Sequence, residues 1–239
     1  DSPRPTRTNP SVFYLVFRYW PGSVMLVALV MGTGLAVTTV FLTRMATARN
    51  IDGIGTFFTG YALSALIIRV MTRNWSRTLG RRRMILLGLC GHACGHLLLI
   101  TVRSQWHFIL PSVSCGMGHA LLFPAVISLS SGAFPRRFRG TGTTFALGIT
   151  ELGVVLFSPL LGWIIDNRGF NAMFATSSAI TVTFGVVYLV TSRRLLDDER
   201  LVGTTSTSDN LKTTGLREIR AEPLEGSVEH SPAKTTTAS

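Results

Sequence analysis

Charge is scarce in this chain. Only 15% of its 239 residues are Asp, Glu, Lys or Arg, against about 25% in ordinary soluble domains. Acid is scarcer still, since 12 Asp and Glu face 23 Lys and Arg and leave a formal net charge of +11. A soluble domain needs a charged surface, so this composition excludes that class. Together with 46% hydrophobic residues and a mean hydropathy of +0.37, it points to a membrane protein. Cysteine is also sparse: Cys90, Cys94 and Cys115 all fall in apolar runs. An odd number without disulfide-scaffold spacing reads as small packing residues. Neither H-E-x-x-H nor G-x-S-x-G occurs, so an enzyme is not expected, and no cofactor is expected either.

What the chain has in quantity is long apolar runs. Six of them, at 22–43, 54–72, 83–102, 106–129, 141–165 and 170–192, come near the roughly 20 residues that cross a ~30 Å hydrocarbon core. Lipid offers backbone groups no water, and these runs are too uniformly apolar for barrel strands, so the expected fold is all-α with six transmembrane helices. Short connections make consecutive helices antiparallel neighbours. Residues 1–21 form a polar N-terminal segment that lacks a signal pattern, so the chain reads as a fragment or one with a trimmed start. Residues 193–239 are rich in Thr, Ser, Glu and Lys and are expected to be a disordered tail.

The arginines follow the loops. Arg4, Arg7 and Arg18 precede the first run; Arg73, Arg77, Arg81, Arg82 and Arg83 separate the second and third; Arg136, Arg137 and Arg139 separate the fourth and fifth; Arg193 and Arg194 follow the sixth. The opposite loops hold only Arg44, Arg49, Arg103 and Arg168, with Asp52 and Asp166 among them. The positive-inside rule then makes both termini cytoplasmic. The charge serves topology and an anionic inner leaflet, and nucleic acid is not an expected partner.

The stretch "SRTLGRRRMILLG", between the second and third runs, resembles the cytoplasmic loop motif G-x-x-x-D-R-x-G-R-R of the major facilitator superfamily. Gly80, Arg81 and Arg82 match its G-R-R, whereas Arg77 and Thr78 replace Asp and Arg, and Arg73 replaces the first Gly. "FPRRFRGTGTTFALG" and "SPLLGWIIDNRGFNAMF" resemble the inner loop into the penultimate helix and the stretch after it. "IDGIGTFFTGYALSALIIR" and "GMGHALLFPAVISL" resemble bacterial efflux permeases of that superfamily. The resemblance implies the C-terminal six-helix half of a twelve-helix secondary transporter in a bacterial inner membrane. It would be one bundle of 3+3 inverted repeats that rocks around a central cavity and carries a small-molecule substrate. The missing N-terminal half, or a second six-helix bundle, is then an expected partner beside the lipid bilayer. The alternative is a half-size subunit or scaffold that does not transport alone.

Ionisable side chains deep in a span are costly and therefore functional candidates. Glu151 lies about ten residues into the fifth run, roughly 15 Å deep, and "ELG" resembles an acidic site of the same permeases; a proton-coupling carboxylate and a structural pairing partner are both open readings. Arg69 and His119 are the other transport candidates, although Arg69 is close enough to the cytoplasmic loop to snorkel. Thr38, Thr39, Thr59 and Tyr61 are cavity candidates by position. In "CGHACGH" (90–96), Cys90 and Cys94 share one helix face while His92 and His96 lie about 200° away. One straight helix cannot close the four on a metal, so no metal site is expected and the imidazoles are read as hydrogen-bonding across helices or lining the cavity.

Overall fold

The computed structural model describes residues 10–72 and 80–220, with side chains described as far as Ser192. Arg4, Arg7, Arg73, Arg77 and Thr78, on which part of the loop reading rests, lie outside the described residues, as does 221–239. Among the described residues there is no strand. The chain divides at 192/193 into two units.

A short helix that the sequence reading did not anticipate, α1 (Val12–Arg18), comes first. Its N-cap Ser11 accepts a bond from the Tyr14 amide at 3.2 Å, and the segment is pinned beyond its end by Tyr19 on Phe134 and Trp20 on Phe145. Seven residues are too few to register as a span. The apolar helices follow: α2 (Val24–Ala48), α3 (Gly55–Met71), α4 (Arg81–Ile100) and α5 (Gln105–Gly132). A continuous helical stretch Arg139–Arg220 is broken at Gly169, giving α6 (139–168) and α7 (170–220). Gly169 sits at φ 79° and ψ 175°, a conformation that only glycine adopts cheaply, so the chain leaves one apolar run and enters the next without a long loop.

By length and composition, Val24–Ala48, Arg81–Ile100, Gln105–Gly132 and Arg136–Ser192 are each sufficient to cross a membrane, and Gly55–Met71 is a shorter apolar helix. Two bounds differ from expectation. The helix α2 runs five residues beyond 43, and its middle, Ala36–Phe41, is a π turn. There Thr38 and Thr39 return their hydroxyls to the backbone, Thr38 to the Gly34 and Leu35 carbonyls and Thr39 to Leu35 at 2.6 Å. Helical backbone also continues past 192 to Arg220, over residues whose composition leads one to expect an irregular tail. Arg193, Arg194, Leu195, Leu196, Glu199, Arg200 and Leu201 are good helix formers, a local preference that a reading of composition alone passes over.

Close backbone approach holds α2 against α6 and α4 against α5. A Cβ on Gly32 would strike the Thr150 carbonyl, and one on Gly153 the Leu29 carbonyl; a Cβ on Gly91 would stand 3.1 Å from the Gly118 Cα and amide nitrogen. Small residues let helices meet in this way where lipid supplies no hydrophobic drive between them.

On the less basic side, Arg49 gathers three elements. It donates to the Val102 carbonyl at 2.8 Å and the Leu99 carbonyl at 3.5 Å at the end of α4, and to Asn171 Oδ1 at 2.6 Å at the start of α7. Partial burial, then the neighbouring Arg103, hold its guanidinium below its ordinary value, but it remains charged at any working pH. Arg49→Ala is expected to cost about 1.5–3 kcal/mol, because charged hydrogen bonds are lost and carbonyls are orphaned. Arg44→Ala breaks only the Arg44–Asp166 pair at 3.0 Å, whose side chains are 55% and 63% exposed, and should cost under about 1 kcal/mol. Thermal unfolding in detergent, read by circular dichroism, would compare the two.

Candidate functional site

The apolar core is not continuous along the bundle. One cluster holds Ala36–Ala46 residues of α2 with Phe57, Leu99, Phe108, Leu161 and Phe174. The other holds Val24–Met31 residues of α2 with Met84, Leu89, Leu122, Ala146 and Tyr188. Between them each of the helices α2 to α7 passes through a short polar interval. These are Thr33 on α2, Tyr61 and Ser64 on α3, His92 and His96 on α4, His119 on α5, Thr150 and Glu151 on α6, and Ser177, Ser178 and Thr181 on α7.

Much of this layer is satisfied across helices. Ser64 donates to the Val113 carbonyl at 2.9 Å, Ser114 to Gly91 at 2.8 Å and Ser178 to Ala93 at 3.0 Å. His96 Nδ1 meets Ser177 Oγ at 3.0 Å. Four buried atoms in the layer have no hydrogen-bond partner among the described residues: Thr33 Oγ1, His92 Nε2, His96 Nε2 and His119 Nδ1. Each such orphan costs about 1–3 kcal/mol when left unmet, so these four are the least satisfied polar groups of the layer among the described residues.

The structure brings some of the sequence candidates together and leaves others apart. Tyr61, half-buried, stacks on Phe57 and lies 5.9 Å from His119; His119 stacks on Phe123 at 5.6 Å; Arg69 sits over Phe123 at 6.0 Å. The guanidinium opens on a cleft of about 430 Å³ between α3, α4 and α5 that Thr72, Met84 and Pro124 also line. Arg69, Tyr61 and His119 therefore form one ring-lined group. Glu151 stands elsewhere, exposed on α6. Thr39 and Thr59 are exposed, whereas Thr38 is buried with its hydroxyl engaged by its own helix. Gly80 caps α4 at φ 77°, and Arg82 reaches the Leu189 carbonyl of α7 at 3.0 Å. Arg81 lies beside it in the first turn, exposed.

In the "CGHACGH" stretch the two faces separate as the helical wheel requires. Cys90 and Cys94 are exposed with sulfurs 4.0 Å apart, and His92 and His96 are buried. Among the described residues, no group of three or more His, Cys, Asp or Glu side chains is arranged to hold a metal ion. Sequence reasoning missed Thr33, Ser64, Ser177 and Ser178. The signal that finds them is common depth, because each lies near the middle of its apolar run, a register that only becomes visible when the runs are laid side by side.

Residues 24–225 match the family model of the Major Facilitator Superfamily. A protein of Agrobacterium vitis named for tartrate transport is 32% identical over 148 residues, 57% of this chain and 32% of its own length. A protein of Bacillus subtilis named for galactarate/D-glucarate transport is 29% identical over 76 residues, 32% of this chain and 17% of its own. The uncharacterised MFS-type transporter YhhS of Escherichia coli K12 is 22% identical over 181 residues, 74% of this chain and 45% of its own. The chain thus spans less than half the length of these curated relatives. The family match over most of its length, with apolar helices and no strand among the described residues, makes this an integral membrane protein that belongs to the Major Facilitator Superfamily.

Proposed function

We propose that this chain is the C-terminal six-helix bundle of a secondary transporter, with α2 to α4 and α5 to α7 as its two inverted repeats and both termini cytoplasmic in a multi-pass cell-membrane protein. It moves a small organic solute outward, as an efflux permease does, and couples that movement to protons through Glu151. A second six-helix bundle supplies the other wall of the cavity. The observation that supports this reading is the polar layer between the two apolar clusters. A bundle that only spanned would be apolar at mid-depth, where transporters of this architecture hold solute and coupling ions. Arg69, Tyr61 and His119 offer a cation and hydrogen-bonding groups at the edge of that layer, and the solutes named for two relatives, tartrate and galactarate/D-glucarate, are hydroxylated organic acids. An organic acid is therefore the solute class to test first.

The whole assembly, purified from source membranes and placed in proteoliposomes, should move labelled tartrate or galactarate when a pH gradient is imposed, with lumenal pH changing in step. An assembly that leaves both acid and proton distributions at the protein-free level would overturn the reading. A half-size subunit or scaffold without transport of its own is the second reading, favoured by the exposure of Glu151, Thr39 and Thr59 in the single bundle. An antibody against 205–239 separates the two. A band near twice the 26.0 kDa of this chain fits a single two-bundle protein, and a band at the chain's own mass with a copurifying six-span partner fits a subunit.

A further inference from the structure

The short helix α1 carries apolar side chains on opposite faces. Leu15 packs inward at 3% exposure, whereas Phe13 and Phe17, one turn apart, are 78% and 81% exposed, with Tyr14 and, just past the helix end, Trp20 also in the open. A row of exposed aromatic rings marks a contact surface. The charge beside it identifies what covers it.

Tyr19 on Phe134 and Trp20 on Phe145 fasten the end of α1 to the loop that enters α6 and to that helix's second turn. Arg18 lies over the Tyr19 ring at 5.8 Å, Arg136 and Arg139 follow Phe134 closely in the chain, and all three arginines are exposed. Among the described side chains the carboxylates are Asp52, Glu151 and Asp166. Asp166 is paired with Arg44 and lies about 40 Å along α6 from Arg139. Asp52 is also at the far end, beside Gly53, which packs on Gln105 at the start of α5. Glu151 is about 18 Å along α6 from Arg139. No described carboxylate neutralises this corner, so its charge is complementary to an anion from outside.

A cavity of about 590 Å³ lies between α1 and α6 at the same corner. Val12, Phe145, Gly148 and Ile149 line it, and Thr141 and Thr144 stand at its Arg139 end. From Thr141 to Ile149 is about 12 Å of helix, most of one leaflet of a ~30 Å core. Gly148 keeps the slot open, since a Cβ there meets nothing within 4 Å.

Arginines and hydroxyls at the mouth and an apolar slot below them fit a molecule with an anionic head and a hydrocarbon tail. We propose that α1, the loop 133–138 and the start of α6 bind one anionic phospholipid of the phosphatidylglycerol kind. Its phosphate meets Arg18, Arg136 and Arg139, and one acyl chain lies in the slot beside Phe145 and Gly148. Phe13 and Phe17 then sit among neighbouring lipids at the depth where aromatic side chains anchor interfacial helices. General attraction of basic loops to an anionic leaflet needs no slot. A slot built beside three arginines holds one lipid in one place.

The test uses the full chain, purified in detergent and followed by native mass spectrometry with added phosphatidylglycerol or phosphatidylcholine of the same acyl chains. The expected result is one phosphatidylglycerol retained per chain under conditions that strip phosphatidylcholine. Arg18→Gln and Arg136→Gln should each weaken retention about fivefold, the scale of one arginine at an anionic lipid surface, while Arg103→Gln, the same charge change at the opposite end, should not. Gly148→Leu keeps every charge and fills the slot from a position with open space around its Cβ, so it should weaken retention about tenfold through lost acyl-chain contact. Equal retention of the two lipids, or a Gly148→Leu protein that holds phosphatidylglycerol as wild type does, would overturn the proposal in favour of diffuse attraction by surface charge. Displacement of the lipid by soluble glycerol phosphate would overturn it in favour of a soluble phosphate ligand. None of these readouts involves solute movement, so the transport reading stands or falls separately.

Discussion

Gly153→Leu is expected to abolish the folded bundle. A Cβ at Gly153 would strike the Leu29 carbonyl and stand 3.3 Å from the Gly32 Cα, and a Cβ at Gly32 would strike the Thr150 carbonyl and stand 2.7 Å from the Val154 amide nitrogen. Both obstacles are backbone, so no rotamer change makes room, and α2 and α6 would have to separate. Overpacking that side chains can absorb costs about 1–3 kcal/mol; here the loss should be about 3 kcal/mol or more. Interhelical packing in lipid depends on such contacts because apolar burial does not drive it. Gly148→Ala is the matched control. It lies on the same helix with nothing within 4 Å of a Cβ, so it should be neutral or stabilise by up to about 1 kcal/mol through helix propensity. Size-exclusion profiles and melting in detergent would read both, and a Gly153→Leu protein that melts with wild type would refute the crossing as described.

Much of this architecture was legible because membrane helices announce themselves by composition. The runs at 83–102 and 106–129 agree with Arg81–Ile100 and Gln105–Gly132 to within a few residues, since charge and turn residues end an apolar helix at the lipid boundary. The helix α1 was not legible: it depends on the Ser11 cap and on Tyr19 and Trp20 meeting Phe134 and Phe145, contacts made more than a hundred residues away. The π turn in α2 was hidden for a different reason. Thr38 and Thr39 bonding back to the helix is compatible with either winding, and the sequence of Ala36–Phe41 has no Pro or Gly to mark it.

The site was legible one residue at a time. Glu151 and His119 stand out in any apolar run, whereas the partnership of Arg69, Phe123, His119 and Tyr61 exists only because α3 lies along α5. A glycine seat for His92 likewise needed Gly34 and Gly118 from two other helices. What one sequence conveys is the depth of a polar residue; which neighbours share that depth is decided by packing.

Glu151→Gln is expected to bring pH-driven solute accumulation by the whole assembly to background while leaving expression and melting behaviour unchanged. Glu151 is about 18 Å along α6 from Arg139, exposed on the bundle's outer surface, and adjacent to Thr150, whose carbonyl faces Gly32 of α2. An exposed carboxylate at that depth faces either lipid, where charge is expensive, or a second bundle and the water between. In the transport reading it is protonated on one limb of the rocking cycle and deprotonated on the other, so a full cycle moves one proton across the membrane. Glutamine mimics the protonated form and cannot release it. Net proton-coupled accumulation should therefore stop, and exchange of labelled for unlabelled solute, which needs no net proton movement, should persist. Glu151→Asp keeps the carboxyl and should restore part of the accumulation. Proteoliposome accumulation and exchange, measured side by side, check this. If the glutamine variant accumulates solute as wild type does, coupling resides elsewhere; if it loses exchange as well, Glu151 is part of the solute path or of the contact between bundles.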